Sequence, residues 1–495
     1  MNEDGKATIR RFPTGVPGLD DVLGGGLHEF SFNLVAGSPG CGKTTLVHQI
    51  AFANATPERP ALYLSILGEP PLKMLRYQQT YAFFDPAKVN HSIRFLYLTQ
   101  EVMNGGLKGV LDKIVHEVET TAPGLVIVDS FRAVVRATAS GKASELELQD
   151  FVQRLALHLT AWEATTFLVG EFQDNEKEAN PVFTLADSML WLYQSVERNS
   201  VVRKLQVMKM RGQAPIPGQH TFRITSAGLQ VFPRLPKPEE ARTEQPQDRR
   251  LSIGVRAVDD MLGGGIPLGY SLLIAGPSGS GKTVLSTQFI IEGVKQGEPG
   301  VIAVFEKRPQ QYLSTTPSGE SMDQMVRDGR LQIVAMRPLD LSVDEALYEL
   351  RDTVLQIGAK RVVVDSLSGF ELALAPPFRE DFRESLYRMV GALTGMGVTV
   401  ILTAEMVDSY IDLKFSAQGA SFLVDGIILQ RYIEMQGRLT RVMTVIKLRA
   451  SDHSKEIRTY DITEDGLVLG KALTDYREIL MGVPKPIAPP GALAE

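Results

Sequence analysis

The same glycine-rich pattern occurs twice in this chain, and this repeat restricts the fold more than any other feature of the sequence. GSPGCGKT begins at Gly37 and GPSGSGKT begins at Gly276. Their lysines, Lys43 and Lys282, lie 239 residues apart (282 − 43). Solenoid repeats have periods of about 20 to 50 residues, so a period this long indicates two copies of a whole domain.

Other segments repeat with nearly the same spacing. GVPGLDDVLGGG begins at Gly15, and its match GVRAVDDMLGGG begins at Gly254, again 239 residues later (254 − 15). The apolar segments GLVIVD and RVVVD end at Asp129 and Asp365, 236 residues apart (365 − 129). Within each copy, short apolar runs alternate with segments of helical spacing, which predicts a mainly parallel sheet covered by helices on both faces. We therefore expect two three-layer α/β domains.

A charged, proline-containing segment separates the two copies. It reads RLPKPEEARTEQPQDRR and has almost no apolar residue, which is typical of an exposed linker. The end of the chain, GVPKPIAPPGALAE, is also rich in proline and predicts an extended tail. The predicted organisation is a first domain over 1–233, a linker over 234–250, a second domain over 251–470 and a tail over 471–495.

Composition argues against several classes of protein. The chain has 495 residues with 44% apolar and 22% charged, as in ordinary globular proteins. It contains no run of about 18 apolar residues, and its polar start lacks the apolar core of a signal peptide. One cysteine suits a reducing cytoplasm, and a net charge of −6 argues against a dedicated nucleic-acid binder. Seven histidines without metal-ligand spacing argue against a zinc site. We expect a cytoplasmic protein without membrane or nucleic-acid partners.

The glycine-rich loops predict ATP binding. In the pattern GxxxxGK[ST], backbone N–H groups surround a phosphate chain at the positive end of the following helix. Lys43 and Lys282 should reach the β- and γ-phosphates, while Thr44 and Thr283 should offer hydroxyls to Mg²⁺. The predicted nucleotide-binding residues are Gly37, Ser38, Pro39, Gly40, Cys41, Gly42, Lys43, Thr44, Thr45, Gly276, Pro277, Ser278, Gly279, Ser280, Gly281, Lys282, Thr283 and Val284.

Two aspartates complete the predicted metal sites. Asp129 and Asp365 each end a continuously apolar strand that follows the phosphate loop in its copy. A carboxylate in this place holds Mg²⁺ directly or through a bound water. The alternative is a strand-end aspartate that only caps a turn.

Paired cations occur near the end of each copy. Lys209 and Arg211 lie in KMRG, and Lys447 and Arg449 lie in KLRA. Residues i and i+2 of a strand point to the same face, so each pair projects together. One interpretation is a solvated strand face. The other is a cationic finger that stabilises charge on the nucleotide of the next subunit, which requires a ring or a filament.

These motifs together resemble the KaiC family of RecA-like ATPases. The resemblance rests on LDDVLGGG, the two phosphate loops, the IVDS and VVDS strands and the KMRG-type strands, and it covers about residues 12–485. It implies two tandem RecA-like P-loop NTPase domains that use ATP and Mg²⁺. It also implies a homo-hexamer of two stacked rings with ATP between neighbours, and regulatory partners of the Kai or two-component signalling type. One ring would mainly assemble and time, while the other carries out regulated phosphoryl transfer.

The sequence departs from the family where a glutamate pair follows the strand after the phosphate-loop helix. The second domain reads FEKRP, so Glu306 keeps the first glutamate and Lys307 replaces the second. The first domain reads ILGEP, with Leu67 opposite Glu306 (306 − 67 = 239) and Glu69 on the following loop. A carboxylate here would orient or deprotonate the attacking group. We predict that Glu306 is the general base, that Glu69 is the candidate in the first domain, and that this domain binds ATP tightly but hydrolyses it slowly.

A second departure concerns the phosphoacceptor. The resemblance places a serine and a threonine side by side shortly before an aspartate in the second domain. This chain reads GASFLVD, so Ser421 matches the serine, Phe422 stands at the threonine position and Asp425 matches the aspartate. We predict Ser421 as the acceptor, with Ser416 as a secondary one. The alternative is that Ser421 is only a small residue packed near the start of a strand.

Three function classes remain open from the sequence. The first is an ATP-hydrolysing regulator with serine autokinase activity in its second domain. The second is a signalling scaffold that ATP assembles and partners read. The third is a DNA-acting RecA relative, which the acidic balance and the absence of a basic, aromatic-interleaved loop disfavour.

Overall fold

The computed structural model divides the chain into two compact units, Met1–Arg234 and Leu235–Glu495. None of the helices in the described residues is long and apolar enough to cross a membrane. The structure describes residues 10–66, 71–130, 145–172, 181–197, 200–234, 249–305, 308–315, 319–336, 342–374, 379, 382–406 and 423–487.

The first unit is built on a mainly parallel sheet. Its strands are β1 Arg11–Phe12, β2 Leu27–His28, β3 Phe32–Gly37, β4 Ala61–Ser65, β5 Ile93–Tyr97, β6 Leu125–Asp129, β7 Thr165–Glu171, β8 Ser188–Glu197, β9 Ser200–Met210, β10 Gln219–Thr225 and β11 Gly228–Phe232. Among the described residues, nine strands form one sheet in the order β11-β10-β9-β8-β3-β7-β6-β4-β5, and β1 pairs with β2 separately. The strands from β5 to β8 in this order run parallel, while β9, β10 and β11 extend the sheet in antiparallel fashion.

Helices cover both faces of this sheet. They are α1 Leu19–Leu23, α2 Lys43–Asn54, α3 Pro71–Gln78, α4 Thr99–Thr121, α5 Glu145–Ala161 and α6 Pro181–Leu185, with a 3₁₀ turn at Pro86–Lys88. The β6 strand shows why its sequence is continuously apolar. Ile127 packs with α2 on one face, and Val126 and Val128 pack with α4 and α5 on the other. A strand buried on both faces has no polar side to alternate with.

The second unit repeats this architecture. Its strands are β12 Arg250–Leu251, β13 Ile266–Pro267, β14 Ser271–Gly276, β15 Gly300–Val304, β16 Leu331–Ala335, β17 Arg361–Asp365, β18 Thr399–Glu405, β19 Gly426–Met435, β20 Arg438–Leu448, β21 Arg458–Thr463, β22 Gly466–Ala472, β23 Tyr476–Arg477 and β24 Lys485–Pro486. Among its described strands, nine form one sheet in the order β16-β15-β17-β18-β14-β19-β20-β21-β22, while β12 pairs with β13 and β23 with β24. This order matches the first unit strand for strand, with β14 in the place of β3.

The helices of the second unit also lie on both faces of its sheet. They are α7 Arg256–Met261, α8 Lys282–Lys295, α9 Pro309–Thr315, α10 Gly319–Arg327, α11 Val343–Ile357, α12 Leu367–Ala373 and α13 Phe382–Gly395, with a 3₁₀ turn at Ile479–Met481. Along β17, Val363 packs with α8, whereas Val362 and Val364 pack with α11 and α13. The predicted pair of three-layer α/β domains with mainly parallel sheets is therefore confirmed.

Candidate nucleotide-binding sites

Each phosphate loop connects the central strand of its sheet to the helix that follows. The loops start at the ends of β3 and β14, and α2 and α8 begin at Lys43 and Lys282. The preceding residues, Gly42 and Gly281, have φ of 104° and 96°, a conformation that favours glycine. A Cβ on Gly42 would lie 2.6 Å from Ile224 Cδ1. The turn therefore requires glycine for its backbone conformation and for space.

The loop lysines point back into the curve of their own loops. Lys43 Nζ donates to the carbonyls of Gly37 at 3.0 Å and Ser38 at 2.7 Å. Lys282 Nζ does the same with the first two residues of the second loop, at 2.9 and 2.7 Å. Burial lowers the pKa of Lys282, and the negative charges of Glu405 and Asp365 oppose this shift. Both ammonium groups are therefore held where the loop would enclose phosphate.

The predicted metal residues lie in contact within each unit. Thr44 Oγ1 donates to Asp129 Oδ2 at 2.9 Å, and Thr283 Oγ1 donates to Asp365 Oδ2 at 2.8 Å. Burial raises the pKa of Asp129, while hydrogen bonds from Tyr63 and Thr44 oppose that shift. A hydroxyl oxygen beside a carboxylate is the type of donor set that Mg²⁺ uses next to a nucleotide. The residues at both sites therefore fit Mg²⁺.

A tyrosine hydroxyl donates to the same carboxylate oxygen in each unit, and the sequence did not indicate it. Tyr63 on β4 donates to Asp129 Oδ2 at 2.6 Å, and Tyr312 on α9 donates to Asp365 Oδ2 at 3.3 Å. The two tyrosines are not repeat equivalents, because Ile302 on β15 stands where Tyr63 stands on β4. Burial raises the pKa of both phenols, so both remain donors.

Two strand-end glutamates were also missed in the sequence. Glu171 ends β7 directly beside Gly37 of β3, and Glu405 ends β18 directly beside Gly276 of β14. Both therefore lie at the edge of the sheet where the phosphate loop starts. In the second unit, Glu405 lines a cavity of about 410 Å³. The cavity is lined by Ser278, Gly279, Gly281, Lys282, Thr283, Val284, Val304, Tyr312, Asp365, Ser366, Glu405 and Ile462.

The side chains of the first pair of finger residues both form hydrogen bonds with the short segment at the end of α6. Lys209 Nζ donates to the carbonyls of Phe183 at 3.1 Å and Thr184 at 2.8 Å. Arg211 Nη2 donates to the same Thr184 carbonyl at 3.2 Å, and its Nη1 pairs with Asp187 Oδ1 at 3.2 Å. Burial lowers the pKa of Lys209, and the charge of Arg211 adds to that shift. Thus the two cations project together, with Arg211 more exposed than Lys209.

The second pair repeats this arrangement in part. Lys447 Nζ donates to the Val424 carbonyl at 2.7 Å, and Arg449 Nη1 lies 3.5 Å from Asp425 Oδ1. Asp425 Oδ2 also accepts from the backbone N–H and the hydroxyl of Ser271 at 3.0 and 2.9 Å. Asp425, which precedes β19, therefore connects Arg449 to the start of the central strand.

Strand register places both pairs away from their own phosphate loops. Through β8, Lys209 lies level with Leu34, three residues before the end of β3 at Gly37. Lys447 lies level with Leu273, three residues before the end of β14. Three strand residues span about 10 Å. The contacts of these lysines lie at the amino ends of the central strands, which is the edge opposite the phosphate loop.

The remaining predicted residues fall into two groups. Cys41 is fully buried inside the first loop, 3.8 Å from Lys43 Nζ, and burial raises the pKa of its thiol. Thr45 and Val284 lie in the first turns of α2 and α8. The other group lies outside the described residues: Leu67, Glu69, Glu306, Lys307, Ser416, Ser421 and Phe422.

The fold and the two sites define the class of protein. A P-loop before a helix, a threonine–aspartate pair and two sheets of matching order make this chain a tandem RecA-like ATPase. The family model "ATPase: KaiC" matches residues 12–236 and 251–473. The chain therefore belongs to the KaiC ATPase family.

Relatives named "Circadian clock oscillator protein KaiC" match nearly the whole chain. The protein of Rippkaea orientalis is 26% identical over 96% of this chain and 92% of its own length. That of a Picosynechococcus species is 26% identical over 97% of this chain and 93% of its own length. That of Thermostichus vulcanus is 25% identical over 98% and 94%, respectively. The similarity thus includes both domains in their order.

Proposed function

We propose that this protein hydrolyses ATP with Mg²⁺ at two sites per chain. The predicted domains 1–233 and 251–470 would each carry one site, joined by the linker 234–250 and followed by the tail 471–495. The observation that carries the proposal is the same lysine, threonine and aspartate arrangement in both units. Membership of an ATPase family supports it.

Different residues would bind the phosphates, bind Mg²⁺ and activate the attacking group. The loop N–H groups and Lys43 or Lys282 hold the phosphates. Thr44 or Thr283, with the neighbouring aspartate, would hold Mg²⁺, which when bound neutralises charge on the phosphate oxygens. Glu306 and Glu69 remain our candidates to activate the attacking group. The predicted weak hydrolysis in the first domain follows from Leu67 at the position of Glu306.

The finger residues support assembly of several copies. Because both cation pairs lie opposite their own phosphate loops, a nucleotide that they contact must be held outside their own unit, and the proposal places it on another copy. A head-to-tail contact of this kind produces a closed ring when the rotation between copies closes. The proposed assembly is a homo-hexamer with ATP between neighbours.

The biological role is proposed from the names of the relatives. They are named circadian clock oscillator proteins, which supports a regulatory or timing role. The proposal also includes a cytoplasmic location and partners of the Kai or two-component type. We propose serine autokinase activity at Ser421 of the second domain. A ring that binds ATP and signals without protein phosphorylation is the alternative.

A complementation experiment tests hydrolysis and assembly together. One variant carries Lys43→Ala with Lys282→Ala, and the other carries Arg211→Ala with Arg449→Ala. Each variant alone should lose on the order of 10³-fold in phosphate release. The first lacks the lysines of both phosphate loops, and the second lacks the arginines of both finger pairs. Mixed and reassembled copies should recover activity, since intact loops would then meet intact fingers.

Matched controls make this result interpretable. Arg154→Ala removes only an exposed ion pair with Asp150 on α5 and should leave turnover unchanged. A mixture as inactive as its components, beside an active wild type, would exclude fingers acting between copies. γ-Labelled ATP separates the two functions: label at Ser421 indicates the autokinase, whereas phosphate release without label indicates an ATPase that signals by assembly. Glu306→Gln should remove most turnover at the second site.

A further inference from the structure

The backbone carbonyl of Thr184 binds both finger cations of the first unit, Lys209 and Arg211. Thr184 lies in α6, three residues before Asp187 and four before the start of β8 at Ser188, and its side chain is exposed. Its carbonyl accepts from Lys209 Nζ at 2.8 Å and from Arg211 Nη2 at 3.2 Å. Its hydroxyl has no hydrogen-bond partner among the residues that the structure describes. An exposed alcohol thus lies on a residue whose backbone carbonyl accepts hydrogen bonds from two cations, and such cations bind phosphate groups well.

The position of Thr184 in the first unit determines which bound ATP it would approach. The cations lie opposite their own phosphate loop, and under the proposed function they contact ATP held by a neighbouring copy. Thr184 is fixed to both cations and therefore approaches the same γ-phosphate. The inference rests on that part of the proposed function and adds a covalent step to it.

The repeat shows that this hydroxyl is specific to the first unit. Lys447 follows Lys209 by 238 residues (447 − 209), and the same offset takes Thr184 to Phe422 (422 − 184). Phenylalanine has no hydroxyl to phosphorylate. An alcohol at this position is therefore available in the first copy and lacking in the second.

We propose that Thr184 is a phosphoacceptor whose phosphoryl donor is ATP bound to the first phosphate loop of the adjacent copy. Thr184 Oγ1 forms a bond to the γ-phosphorus while the bond from that phosphorus to the β–γ bridging oxygen breaks, and ADP leaves. The hydroxyl proton passes to a carboxylate of the ATP-holding copy. Glu171 is suited to accept it, because it lies beside the start of that loop.

The surroundings also suit the product. A phosphothreonine at this position carries nearly two negative charges and three strong acceptor oxygens. Lys209 and Arg211 of the same chain lie on its own backbone carbonyl and would form charge-assisted hydrogen bonds with it. Phosphorylation would thereby withdraw the fingers from the neighbouring nucleotide and slow turnover at the first site.

Phosphopeptide mapping after incubation with γ-labelled ATP and Mg²⁺ tests the proposal. Thr184 shares a tryptic peptide with Ser188 and Ser195, so fragmentation must locate the label. Ser188 is buried and bonded to Asn33, whereas Ser195 is exposed and serves as the control alcohol. We expect label on Thr184, loss of that label in Thr184→Val and its return in Thr184→Ser, with Ser195→Ala behaving as wild type.

Mixing two variants tests transfer between copies. A mass-tagged Lys43→Ala chain keeps the acceptor Thr184 but lacks the lysine of the first phosphate loop. The Thr184→Val chain keeps that lysine but lacks the acceptor hydroxyl. Label should appear on Thr184 of the tagged chain only in the mixture. Phosphate release by the Lys282→Ala protein without label at Thr184 would overturn this inference and leave the proposed ATPase standing. Absence of both label and phosphate release would overturn the two together.

Discussion

His48 should make the stability of the first unit sensitive to acid. This residue lies on α2, directly behind the phosphate loop, and its side chain is 1% exposed. Its ring packs edge-on against Tyr63 at 4.5 Å, and neither ring nitrogen has a hydrogen-bond partner among the described residues. Burial lowers its pKa from 6.5 to about 3. The folded unit therefore keeps this imidazole neutral where an exposed histidine would be charged.

The sign and size of the effect follow from linkage. Below pH 6.5 the unfolded chain binds a proton that the folded unit excludes, so stability falls as the pH falls. Between about pH 7.5 and about pH 5 the loss is about 2 kcal/mol, from roughly 1.4 kcal/mol per pH unit over about 1.5 units. This size depends on the ordinary pKa of histidine and hardly on how far below 5 the folded value lies.

Tryptophan fluorescence isolates the relevant unit. Trp162 and Trp191 are the two tryptophans of the chain, and both lie in the first unit. Urea unfolding followed by the fluorescence of these residues should show that the free energy of unfolding of the wild type falls between about pH 7.5 and about pH 5. In His48→Leu this fall should be smaller by about 2 kcal/mol, because the buried imidazole is absent. The other titrating groups cancel in this comparison. An equal pH dependence in wild type and variant would refute the reasoning.

Three further changes address the second site. Lys282→Ala should reduce bound ATP from two to one per chain in equilibrium dialysis, and two retained nucleotides would contradict the site. Tyr312→Phe removes one donor to Asp365 worth about 1 kcal/mol, so the Mg²⁺ concentration for half-maximal hydrolysis should rise about fivefold while metal-free nucleotide binding stays constant. Gly281→Ala places a Cβ 2.7 Å from Ile462 in a left-handed turn and should abolish nucleotide binding at that site; normal binding with an unchanged melting temperature would disprove the steric argument.

Much of the architecture could be predicted because it is local in sequence. The two glycine loops fixed a strand before and a helix after each loop, and the continuously apolar GLVIVD segment indicated a strand buried on both faces. Asp129 could be predicted to lie near the phosphate loop because it ends that strand. The structure places its carboxylate 2.9 Å from the Thr44 hydroxyl, as expected for residues at the same edge of a parallel sheet.

The rest depended on the spatial order of strands, which the sequence does not state. Glu171 is 134 residues from Gly37 (171 − 37) and becomes its neighbour only because β7 pairs with β3. The edge on which Lys209 lies follows from the register of β8 and β9. Tyr63 and Tyr312 reach equivalent carboxylates from a strand and from a helix, so comparison of the two copies could not reveal them.

This last contrast bears on why the chain keeps two sites. Around the second loop, Ser280 Oγ donates to Gln430 Oε1 at 3.1 Å, and Tyr460 donates from its hydroxyl to the Ser280 carbonyl. At the corresponding places the first unit has Cys41, Leu192 and Phe222, all buried and apolar. Hydrogen bonds fix direction, whereas apolar contacts mainly fill volume. The residues predicted to contact phosphate are thus alike in the two units, while the residues that pack against each loop differ. Such divergence is expected when two copies bind the same nucleotide for different purposes, and it fits a phosphoacceptor alcohol at Thr184 in one unit and phenylalanine at the matching position in the other.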